Sequence, residues 1–118
     1  MQTVLSKAVN ECDALYIPTD NTAASSSGLI DNVCRPKKIP VICGEEGTCA
    51  GCGIATLTID YYRLGVETGK MAAEVLLGKK SISEMPIGYD TAPTYKFNKE
   101  ICDELGIIVP ENYQQIVK

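Results

Sequence analysis

The stretch that decides the fold is Tyr16-Ile17-Pro18-Thr19-Asp20-Asn21-Thr22, in which a short apolar run passes directly into polar residues. Residues 14–17 are apolar enough for a buried strand, and a weak helical pattern begins at Ala23. Open α/β sheets bind ligands at such places, where a strand ends and a helix begins. The last three polar residues of the stretch are also good helix N-caps, so each taken alone has a purely structural explanation. A binding site is favoured because the same arrangement recurs twice downstream.

The composition is that of an ordinary globular chain: 118 residues, 45% hydrophobic and 22% charged, which predicts a single domain over residues 1–118. A net charge of -4 without an extended basic cluster argues against nucleic acid as a partner. No apolar run approaches the roughly 20 residues of a membrane-spanning helix, and the start lacks a signal-peptide pattern. We therefore expect a cytoplasmic protein, or a mature portion or fragment of an exported one. The absence of His excludes imidazole catalysis and a His-based zinc site.

The chain has six cysteines, too few for a disulfide-based scaffold of this length. Cys12, Cys34 and Cys102 fall at apolar positions of helical patterns, where we expect them to act as small buried hydrophobes. Cys43 precedes a CxxC motif, Cys49-Ala50-Gly51-Cys52, so a redox pair or part of an iron–sulfur site stays open as an alternative. A lone CxxC is a weak signal, and the sequence predicts neither a metal nor a cofactor.

Periodicity and turn residues predict alternating helices and strands. We expect helices over residues 2–12, 22–35, 61–77, 98–105 and 110–117, strands over 14–17, 39–43, 54–59 and 94–97, a short helical turn or loop over 48–53, and an edge segment over 85–89. The helix over 61–77 is predicted to bury one stripe, formed by Leu64, Thr68, Met71, Ala72 and Val75. The alternation predicts an α/β fold with a mainly parallel sheet.

Three successive strand ends carry the polar side chains of a candidate site. Its residues are Thr19, Asp20, Asn21, Thr22, Glu45, Glu46 and Asp60. The carboxylates can bind an ammonium group, and the N–H groups over residues 22–24 can bind a carboxylate, so the pattern suggests a small zwitterion such as an amino acid. Tyr61 or Tyr62 could add an aromatic surface. The structural alternative is a solvated turn at residues 45–46 and an N-cap at position 60.

The same residues carry a family resemblance. It rests on the segments DALYIPTDNTAASS, IPVICGEEGTCAGCGIATLTIDYYRLGVETGKMAAEVLLG and PTYKFNKEICDELGIIVPENY. Over residues 2–117 the chain resembles the C-terminal half of ABC transporter substrate-binding proteins, in the subfamily associated with tryptophan, tyrosine and related small ligands. The resemblance implies the type I periplasmic-binding-protein fold, with three-layer (αβα) flavodoxin-like lobes that close on a ligand and deliver it to a membrane permease.

Carried over by position, residues 19–22 match the first ligand-facing turn, Glu45 and Glu46 the second, and Asp60 the acidic residue after the crossing strand. Asp20, Glu46 and Asp60 would hold the ligand ammonium, and Asn21 with Thr22 its carboxylate. The resemblance also implies a protein that is not an enzyme and lies outside the cytoplasm, at the cell surface or in the periplasm, in its full-length parent. Because one copy cannot form a two-lobe cleft, we expect an excised fragment or a homodimer formed by exchange.

Two alternatives compete with a ligand-binding half. One is a redox or metal-binding α/β domain that uses Cys43, Cys49 and Cys52. The other is a self-associating remnant that binds nothing and buries its open apolar face. Enzymatic activity is the poorest candidate, because the sequence offers no assignable pair of base and nucleophile.

Overall fold

The computed structural model describes residues 1–117, which form two compact units. The sheet unit comprises Met1–Thr58 and the chain from Thr94 onward, and the helix unit comprises Ile59–Pro93. The single domain expected over residues 1–118 stays a prediction. Within the described residues, no helix has the length and apolar character needed to cross a membrane.

The sheet unit contains all five strands and most of the helices. Its elements are α1 (Gln2–Glu11), β1 (Leu15–Ile17), α2 (Asn21–Ala24), α3 (Ser27–Cys34), β2 (Val41–Cys43), α4 (Glu46–Cys52), β3 (Ala55–Thr58), β4 (Thr94–Phe97), α6 (Lys99–Leu105) and β5 (Gln114–Gln115), with a 3₁₀ turn at Arg35–Lys37. The helix unit contains α5 (Tyr61–Leu76) and a 3₁₀ turn at Ile82–Glu84. Most predicted elements are therefore present; β1, β2 and β3 are shorter than the sequence suggests, and β4 has the predicted bounds.

The strands form one sheet in the order β1-β2-β3-β4-β5. β1, β2 and β3 are parallel, β4 pairs antiparallel with β3, and β5 pairs parallel with β4. The α/β class with a mainly parallel sheet is thus confirmed. Ile17 is in register with Cys43, so the first two strands end side by side.

The main core lies on one face of the sheet, beneath α1, α3 and α4. Its buried members include Leu5 and Val9 of α1, Ile30 of α3 and Val41 of β2. The buried positions of α1 and α3 recur every three to four residues, as an amphipathic helix on a sheet requires. A smaller cluster joins Ile54 to α6, and it continues into half-buried residues of the segment that follows α6.

The helix predicted over residues 22–35 is divided in two. α2 ends at Ala24, and α3 begins at Ser27. Serines at positions 25–27 explain the break, because short hydroxyl side chains compete for backbone groups, and the Ser25 hydroxyl donates to the Thr22 carbonyl. Both parts pack on the main core, since Ala23 of α2 and Ile30 and Cys34 of α3 are buried in it. The α-helix ends at Cys34, one residue before the predicted bound, and a 3₁₀ turn follows over Arg35–Lys37.

The helix predicted over residues 110–117 is wrong. Pro110 closes a turn by accepting from the Tyr113 N–H at 3.1 Å, and the chain then forms β5 beside β4. The Ile116 N–H donates to the Phe97 carbonyl at 2.9 Å, and the Ile116 side chain is buried in the main core. The free edge of β4 and this anchoring contact outweigh the local helical pattern. The edge segment predicted over residues 85–89 is also wrong, because no strand forms there.

The stripe predicted to be buried on the helix over 61–77 is also wrong, although α5 itself is confirmed. None of its 16 residues is buried. Leu64, Met71 and Val75 are half-buried, whereas Thr68 and Ala72 are exposed. The described helix unit, Ile59–Pro93, contains no strand and so no sheet of its own to cover the stripe.

Candidate functional site

The first two polar turns meet at the carboxyl edge of the sheet. The Gly44 N–H, directly after β2, donates to the Ile17 carbonyl at the end of β1 over 2.8 Å. A Cβ atom at Gly44 would lie 2.7 Å from the backbone nitrogen of Thr19 and 3.2 Å from the carbonyl carbon of Pro18. The chain can pass this closely only because position 44 has no side chain. The structure therefore brings residues 19–22 and 45–46 to one edge, as the sequence predicts for parallel strands.

Asp20 is the N-cap of α2. Its Oδ1 accepts the Ala23 N–H at 2.8 Å, and its backbone carbonyl accepts the Ala24 N–H at 2.9 Å. Two of the three N–H groups expected to bind a ligand carboxylate are therefore already used. Thr19, Asn21 and Thr22 have exposed side chains beside this cap.

Glu45 has a structural role as the N-cap of α4. Its carboxylate accepts the N–H groups of Gly47 and Thr48 and the Thr48 hydroxyl. Burial alone would raise the pKa of Glu45, but the Thr48 hydroxyl and the two N–H groups hold that pKa below its ordinary value. With both oxygens engaged, Glu45 orients α4 at the edge of the candidate site.

The lowered pKa of Glu45 predicts a pH-dependent contribution to stability. A carboxylate with a depressed folded-state pKa stabilises the fold above its unfolded-state pKa, and this contribution is lost as the pH falls through the folded-state value. We expect Glu45→Gln to lower the free energy of unfolding at pH 7, with a smaller loss once the pH falls below the ordinary value of 4.5. Urea unfolding across pH 3–7 measures this difference. Glu11→Gln, at an exposed position of α1, is the matched control, and an equal loss for Glu45→Gln at every pH would contradict the prediction.

Glu46 is engaged by a residue that the sequence analysis did not single out. Lys96 Nζ, on β4, lies 2.6 Å from Glu46 Oε2, and both side chains are partly exposed. The pair links the start of α4 to a strand 50 residues away. In the sequence, the only sign of Lys96 is the alternation of β4, which places Lys96 and Thr94 on one face of the sheet. Glu46 thus already holds one ammonium group, and Lys96 adds a cation at this edge.

Asp60 belongs to the helix unit. It is the N-cap of α5, because its Oδ1 accepts the N–H groups of Tyr62 at 2.9 Å and Arg63 at 3.1 Å. Its Oδ2 lies 3.5 Å from the Nε atom of Arg63. The two tyrosines that the sequence suggests as an aromatic surface, Tyr61 and Tyr62, are exposed on this unit.

The cysteines of the CxxC region are buried and behave as small core residues. Cys43, Cys49 and Cys52 all belong to the main core, and among residues 1–117 every cysteine is unbridged. A hydrogen bond with Cys49, together with burial, raises the pKa of Cys43 to about 12. The pKa of Cys52 is also raised, mainly by its hydrogen bond with Cys43 and secondly by burial. No group of metal-ligating side chains in the described part of the chain could hold a metal ion. Cys34 and Cys102 are buried as expected, whereas Cys12 is exposed, contrary to prediction, just beyond the end of α1.

The fold and the paired turns agree with the comparison with known protein families. The model of the ABC transporter substrate binding protein family matches residues 1–116. The chain belongs to this family. The family is a class of transport proteins rather than of enzymes.

Three known proteins are similar to this chain over part of their own length. The tyrosine-binding protein of Clostridioides difficile (strain R20291) is 41% identical over 83 residues, which cover 70% of this chain and 24% of that protein. A ligand-free, open structure of a substrate binding protein with adhesive properties from Clostridium difficile has a TM-score of 0.76 and 35% identity, covering 98% of this chain and 39% of that one. A Streptococcus pneumonia ABC domain in complex with L-Trp has a TM-score of 0.84 and 29% identity, covering 98% of this chain and 40% of that one. The chain therefore spans well under half the length of these proteins.

Proposed function

We propose that this chain supplies ligand-contacting residues to the substrate-binding component of an ABC transporter, and that the ligand is a small amino-acid-like molecule taken up by the cell. The observation that carries the proposal is the junction at Gly44, where two polar turns from neighbouring parallel strands touch. Ligands of α/β proteins bind at this kind of edge. Relatives described as binding tyrosine and L-Trp support an amino acid, with an aromatic one as the first choice.

The contacts made by each residue refine its proposed role in the sheet unit. Asp20 keeps Oδ2 for the ligand ammonium while Oδ1 caps α2. The side chains of Thr19, Asn21 and Thr22 supply hydrogen-bonding groups beside it, and Lys96 offers a positive charge for the ligand carboxylate. Glu46 holds Lys96, and Glu45 holds α4. Asp60 stays a proposed ligand residue contributed by the helix unit.

The proposal extends to the surroundings of the protein. We infer a membrane permease as the transport partner and a location at the cell surface or in the periplasm, as befits the family. A homodimer formed by exchange of segments between two copies is a further part of this proposal. Measuring the mass in solution alongside ligand binding distinguishes a monomer from such a dimer.

The test is a thermal-unfolding screen against the twenty amino acids, followed by calorimetric titration with L-tyrosine and L-tryptophan. A ligand at 100 times its dissociation constant stabilises the folded state by about 2.7 kcal/mol, which gives a readily measured rise in melting temperature. Asp20→Asn keeps an N-cap but removes the charge, so it should weaken binding roughly tenfold, the equivalent of about 1.4 kcal/mol. Asp13→Asn, an exposed position before β1, is the matched control. No stabilisation by any amino acid would overturn the proposal.

A further inference from the structure

The helix unit contains a well-connected carboxylate that is not among the residues predicted from the sequence. The side chain of Asp90 is 4% exposed, although it lies in a segment without regular secondary structure. Its Oδ2 accepts the Asp60 N–H at 3.0 Å, and its Oδ1 accepts the Ala92 N–H at 3.1 Å. A carboxylate this well buried persists only where its oxygens are satisfied, so these bonds define its position.

Arg63 completes the arrangement from the first turn of α5. Its Nη2 lies 3.4 Å from Asp90 Oδ2 and donates to the Ala92 carbonyl at 2.7 Å. Its Nε lies 3.5 Å from Asp60 Oδ2. Arg63 therefore bridges Asp60 and Asp90, and its position on α5 is itself fixed because Asp60 caps that helix. We call Asp60, Arg63, Asp90 and Ala92 the clasp.

The clasp joins the two segments by which the chain enters and leaves the helix unit. Thr58 and Thr94 are the last register pair of β3 and β4. Beyond that pair the chain enters the unit at Ile59 and leaves it at Pro93. Because proline has no N–H group, it cannot donate a ladder hydrogen bond, and the side chain of Asp90 ties the two segments together instead.

We propose that Asp90 is a positioning residue for Asp60: its carboxylate and the guanidinium of Arg63 fix the backbone and side chain of Asp60 for ligand binding. This inference rests on the proposed function, which supplies the ligand. Whether Asp90 holds Asp60 in place can nevertheless be measured in the ligand-free protein. The Asp90 carboxylate accepts an N–H group from each of the two segments, so its loss should loosen both. The two backbone N–H groups and Arg63 also keep the pKa of Asp90 below its ordinary value, which maintains the charge that they bind.

The first measurement is backbone amide exchange, which needs no ligand. In Asp90→Asn, one charged acceptor becomes a neutral amide, and we expect exchange at Asp60 and Ala92 to become at least about tenfold faster, with α3 and α4 unchanged. Glu74→Gln is the matched control, since it removes one charge and the ion pair with Lys80 from the same unit without touching the clasp. Unchanged exchange at Asp60 in Asp90→Asn would overturn the inference.

The second measurement is calorimetric titration of the variants with L-tyrosine and L-tryptophan. Asp90→Asn should weaken binding roughly tenfold, and adding it to Asp60→Ala should cause no further loss, because Asp90 acts through Asp60. An independent, additive loss would mean a merely structural role and would overturn the inference. If Asp90→Asn does not fold, Arg63→Gln is measured in its place. That variant removes the guanidinium but keeps both N–H hydrogen bonds to Asp90. If the wild-type protein binds no amino acid, the proposed function fails, and the exchange result alone decides whether Asp90 positions Asp60.

Discussion

Replacing Gly44 with alanine is expected to destabilise the sheet unit and disrupt the candidate ligand site together. The added Cβ would lie 2.7 Å from the Thr19 backbone nitrogen, 2.8 Å from the Thr19 hydroxyl oxygen and 3.2 Å from the Pro18 carbonyl carbon. The hydroxyl can rotate away, but the two backbone atoms cannot, so the turn after β1 must move. Overpacking of this kind costs roughly 1–3 kcal/mol. The same movement displaces residues 19–22, so affinity for an amino acid should fall together with stability.

Gly28→Ala is the matched control for this prediction. Gly28 lies in α3 on the same unit, and a Cβ there would have no heavy atom within 4 Å. Alanine should stabilise that helix by about 0.5–1 kcal/mol, because glycine has the greater backbone freedom in the unfolded chain. Urea unfolding and amino acid titration of both variants measure the two effects. Wild-type stability and affinity in Gly44→Ala would show that the two turns do not depend on their close contact.

The features predictable from sequence are those that a short segment determines by itself. An apolar run followed by Thr19 and Asp20 specifies a strand, a turn and a helix start within seven residues, and the structure has all three. Asn98 is likewise a recognisable N-cap before α6. The adjacency of the first two turns also follows, because parallel neighbouring strands end at the same edge.

The partner of each charged side chain could not be predicted, because it depends on distant parts of the chain. From the sequence, Glu46 could bind the ammonium group of a ligand. In the structure it binds the ammonium group of Lys96, which lies 50 residues later in the chain. The spacing of Asp90 from other polar residues does not indicate a role for it. That role depends on the fold, which brings Asp90 to the backbone N–H of Asp60. The C-terminal segment shows the same limit: its helical pattern is genuine, but the free edge of β4 decides its structure.

Stability also depends strongly on Asn98, whose side chain connects α4 to α6. It is 5% exposed, and its Nδ2 donates to the Cys49 carbonyl at 3.3 Å and the Ala50 carbonyl at 3.1 Å. The Ala50 carbonyl belongs to the last turn of α4, where helical partners are missing. Its natural i+4 donor, the Ile54 N–H, instead donates to Val41 at 2.8 Å. The Asn98 Oδ1 accepts the Ile101 N–H at 3.4 Å, which caps α6.

Asn98→Ala should therefore lower the free energy of unfolding by about 2–4 kcal/mol, since it leaves the partly buried Ala50 carbonyl without its donor and removes a helix cap. Asn98→Asp keeps the capping acceptor but turns a charged oxygen towards the two carbonyls, so at pH 7 it should be at least as damaging. Burial and these carbonyls raise the folded-state pKa of the introduced carboxyl. The folded state then binds the proton more tightly than the unfolded chain, and the damage should lessen as the pH falls.

Urea unfolding at pH 7 and pH 4 measures both variants, with Asn32→Ala as the control. Asn32 is exposed on α3, and its replacement should change stability by no more than about 0.5 kcal/mol. Equal losses for Asn98→Asp at both pH values would contradict a buried donor role for Asn98. α4 begins at the candidate site under the cap of Glu45 and ends against Asn98, so its placement depends on polar side chains at both ends. Loss of the contact at the end of α4 should therefore also displace the start of that helix, at the candidate site. We expect Asn98→Ala to weaken amino acid binding, although Asn98 contacts no proposed ligand residue.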